Sequence, residues 1–154
     1  MIRPFTLSDL DPILQIELQA FPKSAYDWPT FLNLHFLYPK TFLVDVAPAL
    51  DWKKDQILGY IIFTEEGHII SIAVDPQYRR KGIGKELLRQ TMDVSHPKKV
   101  WAEVRRSNQG AQAFYAQMGF RVTGVVPYYY GSEDALIVEW TGPGVRNRSE
   151  YKIK

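Results

Sequence analysis

The chain has 154 residues and a formal net charge of +2, and 45% of its residues are hydrophobic. This length suits one hydrophobic core, which commonly serves about 100–200 residues, and the composition argues against disorder. Cysteine is absent, which excludes a disulfide framework, a thiolate metal site and a cysteine nucleophile. No apolar run approaches the ~20 residues that span a bilayer, and the first residues lack the pattern of a secretion signal. We expect a soluble cytoplasmic protein.

The apolar pattern predicts eleven elements. Apolar spacings of three and four residues indicate helices, whereas alternating or β-branched runs indicate strands. Thr6 and Asp9 form a capping box before the first helix, and Pro22 and Pro39 end the first two helices. In chain order the elements are a strand at 2–5, helices at 10–21 and 27–38, strands at 41–46, 57–64 and 68–74, a helix at 82–94, a strand at 99–104, a helix at 108–118, and strands at 120–126 and 135–140.

Helices alternate with strands only in the middle of this order. A mixed sheet with one parallel pair is therefore favoured over a fully parallel sheet. We expect one domain over residues 1–141, followed by a loosely held basic tail at 142–154.

A basic turn with two glycines joins the strand at 68–74 to the helix at 82–94. Glycine lets backbone N–H groups approach a ligand closely, and a helix N-terminus favours an anion because its first N–H groups are unpaired. The turn is a candidate pyrophosphate cradle, and a purely structural turn is the alternative. The loop of nucleoside triphosphatases is absent, and so is the dinucleotide fingerprint, whose third glycine is replaced by Leu87. The turn reads Gln77-Tyr78-Arg79-Arg80-Lys81-Gly82-Ile83-Gly84.

Two blocks of the sequence resemble the GNAT acyltransferases. The first, Arg79-x-x-Gly82-x-Gly84 after Ile72-Ala73-Val74-Asp75-Pro76, resembles the family's acetyl-CoA motif. The second is similar to the family's next conserved block and reads Glu103-Val104-Arg105-Arg106-Ser107-Asn108, then Ala111, Ala113, Phe114-Tyr115 and Gly119-Phe120. The resemblance covers nearly the whole chain up to about Trp140. It implies the GNAT fold, an α/β (α+β) architecture. Its mixed, mostly antiparallel sheet has about seven strands, is splayed at a parallel pair and is flanked by about four helices.

The resemblance also implies acetyl-CoA as the co-substrate and no metal. The pantetheine arm would pair with backbone groups of Ile72 and Val74, and the pyrophosphate would rest on Arg80 through Lys85. Asn108 would touch the pantetheine region. The expected cofactor-binding residues are Ile72, Ala73, Val74, Arg79, Arg80, Lys81, Gly82, Ile83, Gly84, Lys85, Asn108 and Tyr115.

Tyr115 is the candidate proton donor to the departing thiolate. It lies seven residues after Asn108 and therefore on nearly the same helix face, and a phenol with a pKa near 10 is a sensible acid for that step. The alternative is a core aromatic beside Phe114.

Glu103 is the candidate general base, acting through a water molecule. A carboxylate in a central strand is costly unless it is solvated or paired, and one that faces an active-site cleft avoids that cost. The alternative is an ion pair with Arg105 or Arg121. His68 precedes the cofactor strand; we expect it at the surface and leave it outside the catalytic set.

Three segments indicate the substrate. Arg105 to Asn108 and the run of three tyrosines resemble the ribosomal-protein-alanine (RimI-like) N-acetyltransferases, and Gly67 to Val74 resembles archaeal and eukaryotic N-terminal acetyltransferases. The resemblance implies transfer to the α-amino group of a protein or peptide N-terminus, a ribosomal protein among the candidates, by direct attack in a ternary complex. Tyr128 and Tyr129 are candidate substrate-binding residues, or part of a packed strand end.

Two other functions stay open at this point. One is a GNAT enzyme that acetylates a small amine or amino acid, and the other is an acetyl-CoA-binding module without turnover. We expect no membrane partner and no specific nucleic acid.

Overall fold

The computed structural model describes residues 1–48, 54–94 and 99–142. Within them, every predicted element is present, and its bounds agree with the prediction to within one residue. The elements are β1 (Ile2–Pro4), α1 (Leu10–Ala20), α2 (Trp28–Leu37), β2 (Phe42–Ala47), β3 (Gln56–Phe63), β4 (Ile69–Val74), α3 (Ile83–Val94), β5 (Val100–Arg105), α4 (Gln109–Gln117), β6 (Arg121–Val126) and β7 (Ala135–Trp140). The predicted tail lies outside the described residues from position 143 onward. None of the described helices is long and apolar enough to cross a bilayer.

The chain groups into two compact units. Of the described residues, the first unit contains 1–48, 54–65 and 69–94, and the second contains 66–68 and 99–142. The first unit holds a four-stranded sheet in the order β1-β2-β3-β4, and the second holds a three-stranded sheet in the order β5-β7-β6. The expectation of one domain over residues 1–141 stays a prediction.

Strand pairing within both sheets is antiparallel. The parallel contact among the described residues is one bridge in the second unit, between His68 and Trp101, where the Trp101 N–H donates to the Gly67 carbonyl at 3.0 Å. The predicted mostly antiparallel architecture is confirmed, and the parallel element is shorter than a paired strand.

Helices cover both faces of the four-stranded sheet in the first unit. Tyr60 of β3 packs with its ring edge against Phe31 of α2, 5.8 Å between centroids, in the cluster that also includes α1. Gly59, the neighbouring residue, faces the opposite side of the strand. A Cβ at Gly59 would lie 3.3 Å from Leu87 Cδ1 of α3. The strands between these helices are therefore buried on both faces, which explains the nearly unbroken apolar runs of β2 and β3.

A buried carboxylate ties four segments of the first unit together. Glu17 of α1 accepts hydrogen bonds from the Tyr26 backbone N–H, at 2.9 Å, and from the Tyr60 hydroxyl. That hydroxyl also lies 2.9 Å from Ser71 Oγ on β4. Burial raises the pKa of Glu17, and its hydrogen-bond donors oppose that rise. The network joins α1, the segment after it, β3 and β4 through side chains that the apolar pattern does not predict.

Candidate active site

Strand β4 has one edge that no described strand pairs with. At the end of its other edge, the Asp75 N–H donates to the Leu58 carbonyl at 2.9 Å. Because hydrogen-bonded and non-hydrogen-bonded pairs alternate along antiparallel strands, the backbone groups of Ala73 face β3. Those of Ile72 and Val74 face the open edge. The two residues that we predicted to bind pantetheine are thus the ones whose backbone groups point away from the sheet.

The turn after β4 reaches α3 through two residues with positive φ, Arg80 at 64° and Gly82 at 81°. A Cβ on Gly82 would meet nothing within 4 Å, so the left-handed backbone rather than a lack of space requires glycine here. The first backbone N–H of this helix with a helical acceptor is that of Glu86, which donates to the Gly82 carbonyl at 3.1 Å. The N–H groups of residues 83–85 have no partner within the helix, and such groups bind anions.

Three exposed basic residues, Arg79, Arg80 and Lys81, lie directly before this helix. Arg79 Nε lies 3.4 Å from the Val74 carbonyl oxygen, and Lys81 Nζ lies 5.3 Å from the centre of the Tyr78 ring. The open backbone edge, the unpaired helix N–H groups and the positive charges fit a ligand with an amide-containing arm and a diphosphate.

In the second unit, β5 presents Glu103 to a histidine. Alternate residues of β5 are buried, and Trp101 and Glu103 lie on the more exposed face. His68 Nε2 lies 2.7 Å from Glu103 Oε2, and the two side chains are 30% and 20% exposed. An ionised carboxylate can only accept a hydrogen bond, so we assign Nε2–H of His68 as the donor and Glu103 Oε2 as the acceptor. The carboxylate is therefore held in place while part of it stays accessible to solvent.

This contact bears on the alternative that we considered for Glu103 and on one expectation, the surface position of His68. Glu103 makes no ion pair with Arg105 or Arg121 in the described part of the chain; the Arg105 guanidinium instead donates to Glu133 at 3.0 Å. His68, which we expected at the surface and outside the catalytic set, is half-buried against Glu103. The sequence did not predict the contact between His68 and Glu103, because the two residues are 35 positions apart. No local pattern indicates the parallel bridge that brings them together.

Tyr115 is buried on α4, with its ring centroid 5.1 Å from that of Phe120. Burial raises its pKa well above 10, and the charges of Tyr130 and Glu103 act in the same direction. The hydroxyl therefore stays protonated at neutral pH, but it is a weaker acid than an exposed phenol. The packing fits the core aromatic that we considered as the alternative, and the role of Tyr115 as proton donor stays a prediction.

Asn108 caps the helix that carries Tyr115. Its Oδ1 accepts from the Ala111 N–H at 3.0 Å, which satisfies one of the unpaired donors of the first turn. This contact gives Asn108 a structural role, and its predicted contact with pantetheine stays a prediction.

The three tyrosines are placed differently. Tyr128 and Tyr129 are 74% and 51% exposed, which does not fit a packed strand end. Tyr130 points back to β5: its hydroxyl donates to the Glu103 backbone carbonyl at 3.3 Å, and its ring lies 4.2 Å from Cζ of Arg105. The run thus presents two exposed aromatic side chains from a segment whose third tyrosine is anchored.

Two acidic residues fix this segment, which we call the tyrosine loop (residues 127–134). Glu133 accepts from the Ser107 N–H at 2.7 Å and from Arg105 at 3.0 Å. The hydrogen bond from Ser107, with a smaller effect of Arg105, lowers the pKa of Glu133 to about 2. Asp134 accepts from the Tyr128 N–H at 3.0 Å and from Arg106 at 3.3 Å.

Residues 10–120 match the acetyltransferase (GNAT) family. The chain belongs to this family. It is 32% identical over 151 residues to an N-alpha-acetyltransferase of Sulfurisphaera tokodaii, covering 89% of this chain and 90% of the relative. It is 38% identical over 84 residues to the [ribosomal protein bS18]-alanine N-acetyltransferase of Escherichia coli, covering 50% and 57%. The structure of Chaetomium thermophilum Naa20 in complex with a bisubstrate analogue is similar, with a TM-score of 0.75, 29% identity and coverage of 92% and 86%.

Membership of the GNAT family confirms the predicted family, fold and enzyme class, and the protein is an N-acetyltransferase. Within the described ranges, no three His, Asp or Glu side chains group as a metal site. The roles of the individual GNAT site residues stay predictions.

We expect Gly82→Ala to weaken acetyl-CoA binding about tenfold, as measured by calorimetry. Alanine in a left-handed conformation costs about 1–2 kcal/mol, and relaxation of the turn would move the N–H groups of residues 83–85. Gly131→Ala is the matched control, because Gly131 has a φ of 83° and equally open surroundings. Equal losses of affinity in both variants, or none in Gly82→Ala, would contradict the predicted diphosphate site.

Glu133 should make the stability of the second unit pH-dependent. A carboxyl whose pKa is lower in the folded than in the unfolded state stabilises the fold fully above its unfolded value, and the effect is lost as pH falls through the folded value. The ordinary pKa of a glutamate side chain is 4.5, and the pKa of folded Glu133 is about 2. The free energy of unfolding lost in Glu133→Gln, measured with urea, should therefore be constant near neutral pH and shrink between these two values. A loss that is independent of pH over this interval would mean that Glu133 is not held as a carboxylate.

Proposed function

We propose that the protein transfers the acetyl group of acetyl-CoA to the α-amino group of a protein or peptide N-terminus, by direct attack within a ternary complex. The observation that carries this proposal is the partly exposed Glu103 carboxylate, which His68 holds at 2.7 Å in a chain related to an N-alpha-acetyltransferase. The pair offers an oriented base for an amine.

Backbone groups of the first unit would bind the co-substrate. Those of Ile72 and Val74 suit the amide-containing arm, since they face the open edge of β4, and Ala73 between them keeps β4 in the sheet. The N–H groups of residues 83–85 and the charges of residues 79–81 suit the diphosphate. When bound, acetyl-CoA supplies an acetyl group that is already activated as a thioester, so no covalent intermediate on the protein is needed.

Glu103 would remove the proton that prevents the amine from attacking. The His68 Nε2–H occupies Oε2, and Oε1 can accept a proton through a water molecule next to the amine. An α-amine with a pKa near 8 is neutral in about one molecule in ten at pH 7, whereas a lysine near 10.4 is neutral in about one in 2,500. A carboxylate acting through water is therefore better suited to an α-amine than to a lysine side chain.

Tyr115 would hold a proton for the sulfur that departs. Its hydroxyl stays protonated because burial raises its pKa. A thiol has an ordinary pKa of about 8.5, below that of this phenol, so a complete proton transfer to the thiolate is unfavourable. We therefore assign Tyr115 a strong hydrogen bond to the developing thiolate.

The tyrosine loop favours a peptide over a small amine as substrate. Tyr128 and Tyr129 expose large amphipathic side chains, which can hydrogen-bond and pack against a peptide backbone. Glu133 and Asp134 fix the loop that carries them. A small amine would have no use for two such side chains, and a ribosomal protein N-terminus is a candidate because one relative acts on bS18.

The proposal is tested with purified protein, acetyl-CoA and peptides that differ in their first residue. Thiol release gives the rate, and mass spectrometry locates the acetyl group. We expect acetylation of free α-amino groups and none on peptides whose N-terminus is blocked but which contain lysine. Turnover only on the blocked peptides would refute the proposal, and faster turnover of small amines would favour the small-molecule alternative.

We expect Glu103→Gln to lower kcat by about 10²–10⁴-fold, the usual contribution of an acid–base residue, with little change in acetyl-CoA affinity. Glutamine keeps an acceptor for His68 but cannot take up a proton. Tyr115→Phe should also lower kcat and leave acetyl-CoA affinity unchanged. Asp55→Asn is the control for the loss of a paired carboxylate, since Asp55 is 42% exposed and pairs with Arg3. If Glu103→Gln keeps the kcat of the wild type, the base lies elsewhere.

A further inference from the structure

Trp101 lies flat against the imidazole of His68. The ring centroids are 5.1 Å apart, and the ring planes differ by 5°. Trp101 and Glu103 project from the same face of β5 because they are two residues apart. His68 therefore contacts two side chains of one strand, Trp101 through its ring face and Glu103 through Nε2.

The backbone around this stack is fixed as well. His68 and Trp101 form a parallel bridge, and the Trp101 N–H donates to the Gly67 carbonyl at 3.0 Å. With its backbone held, the imidazole can still turn about two side-chain bonds. The hydrogen bond to Glu103 fixes the position of Nε2, and the flat contact with the indole fixes the plane of the ring.

Trp101 itself is held from the next strand. Lys99 Nζ lies 5.1 Å from the centre of the Trp101 ring and 3.6 Å from Glu139 Oε1, and Glu139 is the β7 residue opposite Trp101. Packing of the core does not account for this tryptophan, because it lies on the more exposed face of β5. Its flat contact with a ring that bonds the proposed base gives it a different role.

We propose that Trp101 is a positioning residue of the Glu103–His68 pair. It holds the imidazole in the plane in which the Nε2–H donates to Glu103 Oε2. Through His68 it also holds the Glu103 carboxylate in the orientation that the proposed reaction needs. This inference rests on the proposed function, which makes Glu103 the base. Loss of the indole should therefore reduce kcat and leave substrate binding unchanged.

The test is a double-mutant cycle on kcat with Trp101→Leu and His68→Ala. Trp101→Leu should lower kcat about tenfold, as expected for the loss of an aromatic contact, with the peptide KM and the acetyl-CoA affinity within about twofold of wild type. Trp101→Phe should recover most of the kcat, since a phenyl ring can stack on imidazole. In the His68→Ala background, Trp101→Leu should have no further effect.

A second readout does not depend on activity. The ¹⁵N chemical shifts of the His68 ring should report one fixed tautomer in the wild type and in Trp101→Phe, and a mixture of tautomers in Trp101→Leu. Trp140→Leu is the control for the loss of a large aromatic residue from the same sheet. It should lower the melting temperature without changing kcat or the His68 signals.

The failures of the two proposals are distinguishable. If the losses in kcat multiply in the double variant, or the His68 signals are unchanged in Trp101→Leu, Trp101 does not act through His68 and only this inference is overturned. If Glu103→Gln keeps the wild-type kcat, the proposed base is wrong and the inference falls with it.

Discussion

The hydrogen-bonding alternation of β4 is the constraint on which much of the first unit depends. Each residue of an antiparallel strand turns its backbone N–H and C=O to one edge only, so β4 can be fixed in the sheet through Ala73 and still expose the groups of Ile72 and Val74. Buried backbone groups need partners, and an open edge of a sheet is a template for another extended chain. The proposed pantetheine arm, which carries amide groups, would meet that requirement.

Polar side-chain contacts with β3 and α1 also hold β4 in position. Glu17, Tyr60 and Ser71 form a buried network whose partners come from a helix and two strands. A charged group at this depth is costly unless it is fully hydrogen-bonded, and the donors from Tyr26 and Tyr60 offset that cost. Hydrogen bonds depend on direction, so a shift of β4 would break the bond between Ser71 and Tyr60. A purely apolar contact would tolerate such a shift more easily.

In the second unit, β5 separates packing from chemistry by the alternation of its side chains. One face is buried, and the other carries Trp101 and Glu103. Arg105 connects the same strand to the tyrosine loop, through Glu133 and through its contact with the Tyr130 ring. The proposed base therefore lies on β5, and the proposed peptide-binding surface is attached to the same strand. Functional groups that are held by one regular element keep their relative geometry.

Local patterns by themselves determined the elements of this protein and the candidates for its site. Periodicity, prolines and capping residues predicted each helix and strand, and the resemblance of two sequence blocks to the GNAT family implied the family and the roles of the turn at Gly82, Glu103 and Tyr115. The elements depend on neighbours within a few residues, and the motifs are short runs of the chain, so a sequence displays both directly. Tertiary structure alone decided how these candidates are partnered. It placed His68 on Glu103 and Trp101 on His68, paired Arg105 with Glu133 instead of Glu103, and buried Tyr115 so that its pKa rises. Those contacts join residues that are far apart in the chain, and their energies depend on distance, orientation and burial, which exist only once the strands are packed.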